Sequence, residues 1–83
     1  MPPRKSVGSV HSTPYREFRK RLRKARVAAR LTQADVATAL GRPQSFVAKC
    51  ESGERRVDVV ELEQFAQLYS RRLSFFLPKT QSD

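Results

Sequence analysis

The stretch Gly41-Arg42-Pro43 constrains this chain more than any other, because it interrupts a helix-forming pattern and then lets it resume. Before it, Thr32-Gln33-Ala34-Asp35 reads as a capping box, with Asp in place of the usual Glu, in which two side chains three residues apart satisfy backbone amides reciprocally. Val36, Ala37 and Leu40 follow on one helical face, and Gly41 suits the left-handed conformation that ends a helix. After it, the spacing predicts a second helix from Gln44 to about Glu51, stopping at Ser52-Gly53. At about 100° per residue, Val47 and Cys50 share one side of that helix, flanked by Phe46 and Glu51. Ser45, Ala48, Lys49 and Ser52 share the other side, with Gln44 at the first turn. A face that merely meets water more often carries Glu and Lys. This one carries an amide, two hydroxyls, a methyl and an amine.

The same reading extends outward in both directions. Thr13-Pro14 has the form of a helix start, a capping hydroxyl followed by Pro at the first helical position. Phe18, Leu22, Ala25 and Ala29 then recur at three and four residues, predicting an amphipathic helix to about Ala29. Asp58-Val59-Val60-Glu61 is another acidic cap, opening a helix with Leu62, Phe65, Ala66 and Tyr69 on one face. Ser74 is expected to cap a last short turn, Phe75-Phe76-Leu77, stopped by Pro78. No segment alternates with the period of a strand. The expected fold is all-α, with five short helices in one domain over 13–78, a flexible basic arm over 1–12 and a disordered tail over 79–83.

Charge narrows the partner. Residues 1–30 hold ten of the 17 Lys and Arg residues and one anion, Glu17, whereas residues 31–83 hold seven of each sign. The whole excess of +9 therefore sits on the arm and first helix. Such asymmetry points to a polyanion, nucleic acid first and an anionic membrane second. No apolar run is long enough to span a bilayer and the N-terminus lacks a signal-peptide stretch, so no membrane partner is expected. The single cysteine, Cys50, excludes a disulfide framework and suits a reducing, cytoplasmic setting.

Catalysis finds little support. His11 is the only histidine and lies in the arm, and Cys50 lies on the apolar side of its helix. A metal site would need several His or Cys, and no Gly-rich phosphate loop occurs. No enzymatic activity, cofactor or metal is expected, and one small domain leaves no place for a small-molecule ligand.

Two helices joined by a tight Gly-containing turn, the second with a polar outer face, form a helix-turn-helix. Residues 31–62 resemble the Cro/repressor-type DNA-binding domain, the xenobiotic-response-element family of bacterial and phage regulators. The matching positions are Leu31-Thr32-Gln33, Ala37, Leu40-Gly41, Gln44-Ser45, Val47, Lys49, Glu51, Gly53 and Arg55, and the wider five-helix layout covers residues 14–77. Two departures stand out: Pro43 replaces a common Ser or Thr cap, and Tyr69-Ser70-Arg71 replaces Leu-Gly and an aliphatic residue. The resemblance implies a five-helix lambda-repressor-like fold and a function in double-stranded DNA binding and transcription regulation.

Gln44, Ser45, Ala48 and Lys49 are then the candidates for contact with bases. Paired donors and acceptors on Gln suit adenine N6 and N7, Lys suits guanine O6 and N7, Ser gives or accepts one bond, and Ala allows close approach to a thymine methyl. A solvated face without a partner is the alternative at each. Gln33 heads the second helix, where free N–H groups attract a phosphate. Arg42, Ser52, Arg55, Arg56 and, in the arm, Arg4 and Lys5 complete the phosphate candidates, with solvent-exposed charge as the alternative reading. The resemblance further implies an internal ion pair between Arg26 and Glu51, and a first helix that mostly faces away from the duplex.

Dimers of this motif present two recognition helices about 34 Å apart and read palindromes. The expectation is a homodimeric repressor or autoregulator joined through Leu68, Phe75 and Leu77. Phe75 and Phe76 point about 100° apart on a helical turn, and alignment to the family turns Phe76 inward. The rival is an antitoxin-like or adaptor protein that chiefly binds a partner protein. A non-specific RNA binder would need exposed aromatics, and only Phe46 and Tyr15 are candidates.

Overall fold

The computed structural model describes residues 12–77, and the expectations for Arg4, Lys5, His11, Pro78 and the 79–83 tail lie outside the described residues. Five helices follow in order: α1 (Thr13–Ala28), α2 (Gln33–Leu40), α3 (Gln44–Ser52), α4 (Val59–Tyr69) and α5 (Leu73–Phe76). The fold is all-α, and among the described residues no helix is long and apolar enough to cross a membrane.

Side-chain caps set most of the starts. Thr32 with Asp35 and Asp58 with Glu61 both form complete capping boxes, as the sequence predicts. At α1 the cap is Ser12, whose hydroxyl accepts the Tyr15 N–H at 3.3 Å, so Thr13 is helical and not the cap. At α5 the N-cap position is Arg72, without a capping side chain, and the expected cap Ser74 is inside the helix. The earlier start brings Phe76 fully into the core.

Three helices end in the same way. The left-handed residues Arg30, Gly41 and Ser70 each give their N–H to the carbonyl three residues back, and the next residue reaches five back. These are the two bonds of a Schellman motif. Only one of the three is glycine. Ser70 thus takes, with φ 56 and ψ 47, the conformation that a glycine would adopt more easily.

All five helices contribute to one core. Phe18, Leu22 and Ala25 come from α1, Val36 and Ala37 from α2, and Phe46, Val47 and Cys50 from α3. Phe65, Ala66 and Tyr69 come from α4, and Phe76 from α5. Phe46 and Phe65 stack with ring centroids 6.2 Å apart, tying α3 to α4. The Tyr15 hydroxyl accepts the Val57 N–H at 2.9 Å and fixes the approach to α4 against α1. The buried side of α3 is thereby committed, and its orientation fixes what faces outward.

Candidate nucleic-acid interface

The outward face of α3 carries Gln44, Ser45, Lys49 and Ser52, all exposed, with Ala48 half-buried between them. Pro43 occupies the N-cap position and provides no capping side chain. The Pro ring fits a helix start, but the first-turn amides get no side-chain acceptor, so that end stays receptive to an anion. Phe46 and Cys50 are buried, and burial pushes the Cys50 thiol above its ordinary range, which suits packing and not nucleophilic chemistry. With Phe46 buried and Tyr15 half-buried against the core, the two candidates for stacking unpaired bases are used internally.

The far end of α3 is closed by α1. Arg19 Nη1 donates to the Ser52 carbonyl at 2.7 Å and to the Glu51 carbonyl at 3.4 Å, where free carbonyls and the helix dipole favour a cation. Gly53 follows with φ 90, and a Cβ there would stand 2.9 Å from the Arg19 guanidinium. The Ser52 hydroxyl is turned inward on its own turn, donating to the Lys49 carbonyl at 3.3 Å and accepting the Glu54 N–H at 3.3 Å. Arg19 was not among the residues expected to shape this face. Its signal was available: Arg19, Leu22 and Arg26 recur at core spacing on the inner side of α1.

A carboxylate holds the motif together. Arg26 donates to Glu51 from Nε at 2.7 Å and from Nη2 at 3.1 Å, and its Nη1 donates to the Leu31 carbonyl at 2.9 Å. Gln33, at the start of α2, donates its amide N–H to the same carboxylate at 3.0 Å. One glutamate on α3 thus fixes α1 and orients the Gln33 side chain. An amide nitrogen has two N–H groups, so one remains for another acceptor.

A second knot, which sequence reasoning missed, lies beyond α3. Arg55 donates to both oxygens of buried Glu61, each at 2.8 Å, and Asp58 N–H donates to Glu61 Oε1 at 3.0 Å. Bonding to Arg55 holds the Glu61 carboxyl below the usual carboxylate range, although burial opposes this. Arg42 Nη2 approaches the same carboxylate only to 4.0 Å. Both arginines lie over the Phe46 ring, Arg42 at 3.9 Å and Arg55 at 4.8 Å from its centroid. Arg56 is exposed and lies 5.1 Å over the Tyr15 ring. No periodicity links Arg55 to Glu61, since the two belong to a loop and a helix start.

A helix-turn-helix domain family matches residues 17–71. The fold is similar to that of an XRE-family like protein from Pseudomonas syringae pv. tomato str. DC3000, with a TM-score of 0.76 and 37% sequence identity over 88% of this chain and 89% of that one. The chain belongs to the XRE family of helix-turn-helix domains. As an XRE-family domain it is a DNA-binding regulator, and that family assignment points away from enzymatic function. A search of curated proteins returns no match.

The residues expected to form the self-association patch line three different hollows. Leu68 is half-buried beside Ala39, Leu40, Gln64 and Gln67. Phe75 is half-buried against Phe76 and lies by Glu17, Lys20, Arg21 and Lys24 under the Arg71 guanidinium. Leu77, 52% exposed, borders a different hollow, with Tyr15, Phe18, Val57, Val59 and Leu62. α5 ends at Phe76, so Leu77 leaves the turn in an extended conformation, while Leu68 stands on α4 beside Ala39 and Leu40 of α2.

Proposed function

We propose that this XRE-family domain is a sequence-specific, homodimeric repressor or autoregulator that acts in the cytoplasm and reads a palindromic operator through α3. The observation that carries the reading is the outer face of α3, where Gln44, Ser45 and Lys49 stand exposed around small Ala48 at a helix end without a side-chain cap. In the major groove, Gln44 pairs with an adenine edge and Lys49 with a guanine edge, while Ser45 bonds to either and Ala48 lets the backbone approach. Phosphates on either side are met by Gln33 through its remaining N–H, by Arg42 and by Arg56, with Arg4 and Lys5 adding contacts from the arm, whereas the expected contact from Ser52 is dropped because its hydroxyl already gives its one proton to the Lys49 carbonyl. A two-fold partner is best accommodated by the apolar hollow at Leu77 and Val59, the latter 72% exposed, in place of the Leu68–Phe75 surface.

Selection of bound sites from a random duplex pool tests this directly. A palindromic consensus whose half-sites are about one helical turn apart is the expected outcome. Enrichment of no sequence would overturn specific readout. Purification with a stoichiometric partner protein would favour an adaptor role instead.

A further inference from the structure

We propose that Arg55 is a positioning residue and not a phosphate ligand: by occupying Glu61 it leaves Arg42 available to grip a DNA phosphate. This assignment rests on the DNA-binding function just proposed and adds a regulator of that same surface.

Glu61, Arg42, Arg55 and Phe46 form one cluster with two cations and one anion. The carboxylate is 8% exposed as a residue, and Arg55 takes both of its oxygens at 2.8 Å. Asp58 N–H takes a further position on Oε1. Arg42 is left at 4.0 Å, too far for a hydrogen bond and close enough to be attracted. Its side chain is 39% exposed and donates none of the hydrogen bonds found among the described residues. It is nonetheless steadied, because its guanidinium lies 3.9 Å over the Phe46 ring at the turn that leads into α3. A planar fork already laid on a ring loses little freedom on meeting a second anion.

Loss of Arg55 would leave Glu61 buried without its cation, and a carboxylate this buried is costly in that state. The nearest substitute is Arg42, 4.0 Å away and on the same aromatic ring. It would close onto Glu61 and withdraw from the duplex. Arg55 therefore governs a DNA contact without touching DNA.

The test measures affinity for the selected duplex as a function of salt for the wild type, R42A, R55A, R42A/R55A, R55A/E61Q and R42A/R55A/E61Q, with melting curves to show that each is folded. Each neutralised phosphate contributes ~0.9 to the slope of log K against log salt. Expected are losses of ~0.9 for R42A, for R55A and for R42A/R55A alike, because all three remove the same phosphate contact. R55A/E61Q should regain the wild-type slope, since no bare carboxylate then competes for Arg42, and R42A/R55A/E61Q should lose it again. A loss of ~1.8 in R42A/R55A would make Arg55 an independent phosphate ligand and overturn the assignment. So would an unchanged slope in R55A, or a persistent loss in R55A/E61Q. Should R55A prove unfolded, R55A/E61Q alone decides, because it buries no unpaired charge. A wild type that binds no duplex would overturn the DNA-binding reading and this assignment with it, whereas salt-dependent wild-type binding with any of the contrary slopes overturns the assignment alone.

Discussion

Glu51 and Glu61 are each gripped by an arginine through two short hydrogen bonds, yet the two carboxylates sit in different charge balances. Glu51 meets one guanidinium and one neutral amide, and the Arg26–Glu51 side chains are 11% and 6% exposed. Glu61 meets one guanidinium fully and a second at a distance, and both arginines are more than a third exposed. The first knot is balanced, lies deep and joins three helices. The second carries a surplus cation at the rim of α3. Burial with matched charge makes a structural fastener, and partial exposure with unmatched charge leaves something to offer a polyanion.

The largest effect that could break this contrast is on stability. Glu51→Ala leaves Arg26 deep and unpaired and also frees Gln33, and it should destabilise by about 3–5 kcal/mol in urea melts. Replacing both Arg26 and Glu51 with apolar residues should recover much of that. A loss under about 0.5 kcal/mol would put the pair in the class of exposed surface bridges and erase the distinction.

Gln44 belongs to neither knot, so it should separate recognition from folding. Gln44→Ala is expected to weaken binding to the selected site by about 1–3 kcal/mol and to relax preference at one base pair per half-site, with the melting curve unmoved. Equal weakening on specific and random duplexes would deny it base readout.

Glu61→Gln probes the exposed knot through acid. The folded carboxyl is held below its ordinary value, chiefly by Arg55. Its contribution is therefore present above the unfolded pKa, near 4.3, and is lost as pH falls through the lower folded value. The variant should lose about 1–2 kcal/mol at neutral pH, less than Glu51→Ala, and show a shallower acid limb of stability against pH. An acid limb identical to the wild type would mean that the pair contributes nothing to folding.

The smallest expected effect has the opposite sign. Ser70→Gly relieves a left-handed serine and should stabilise by about 0.5–1 kcal/mol, with binding unchanged, because residue 70 is remote in sequence from both knots. Destabilisation would show that the serine side chain contributes more than its backbone strain removes.

Helix boundaries were legible wherever a local signal sets them. Thr32 with Asp35, Asp58 with Glu61, and Gly41 are all read within a few residues of themselves. The left-handed Arg30 was not, because only glycine announces that conformation in a sequence, and Ser70 was marked only by standing where the resembled family has glycine. At those two positions the chain accepts the strain to complete the terminal bonds onto Arg26 and Ala66 carbonyls. Ser74 misled for a related reason: the burial of Phe76 sets the register of α5 and overrides the preference of a hydroxyl for the cap. At the interface, periodicity separated inward Val47 and Cys50 from outward Gln44, Ser45 and Lys49, since both sets lie on one helix. It could place Arg19 on the inner side of α1 but not on the α3 carbonyls, and it gave no access to Arg55 on Glu61, because both contacts depend on how separate segments meet. Leu68, Phe75 and Leu77, which line different hollows, teach the same point, for spacing tells which residues leave a helix face but not which faces are neighbours.

The serine at residue 70 also bears on how such a domain could change its operator. A chain that keeps a serine in glycine's conformation is short of its stability optimum, as most natural sequences are. On the proposed readout, new base preferences call for new residues at 44, 45 and 49, and most substitutions lose some stability. A compensating exchange at the far end of α4 would widen the range of reading helices that the scaffold tolerates. Libraries randomised at those three positions should therefore yield more folded and more diverse binders on an S70G background than on the parent, so that the turn after α4 would set how readily the domain evolves a new preference.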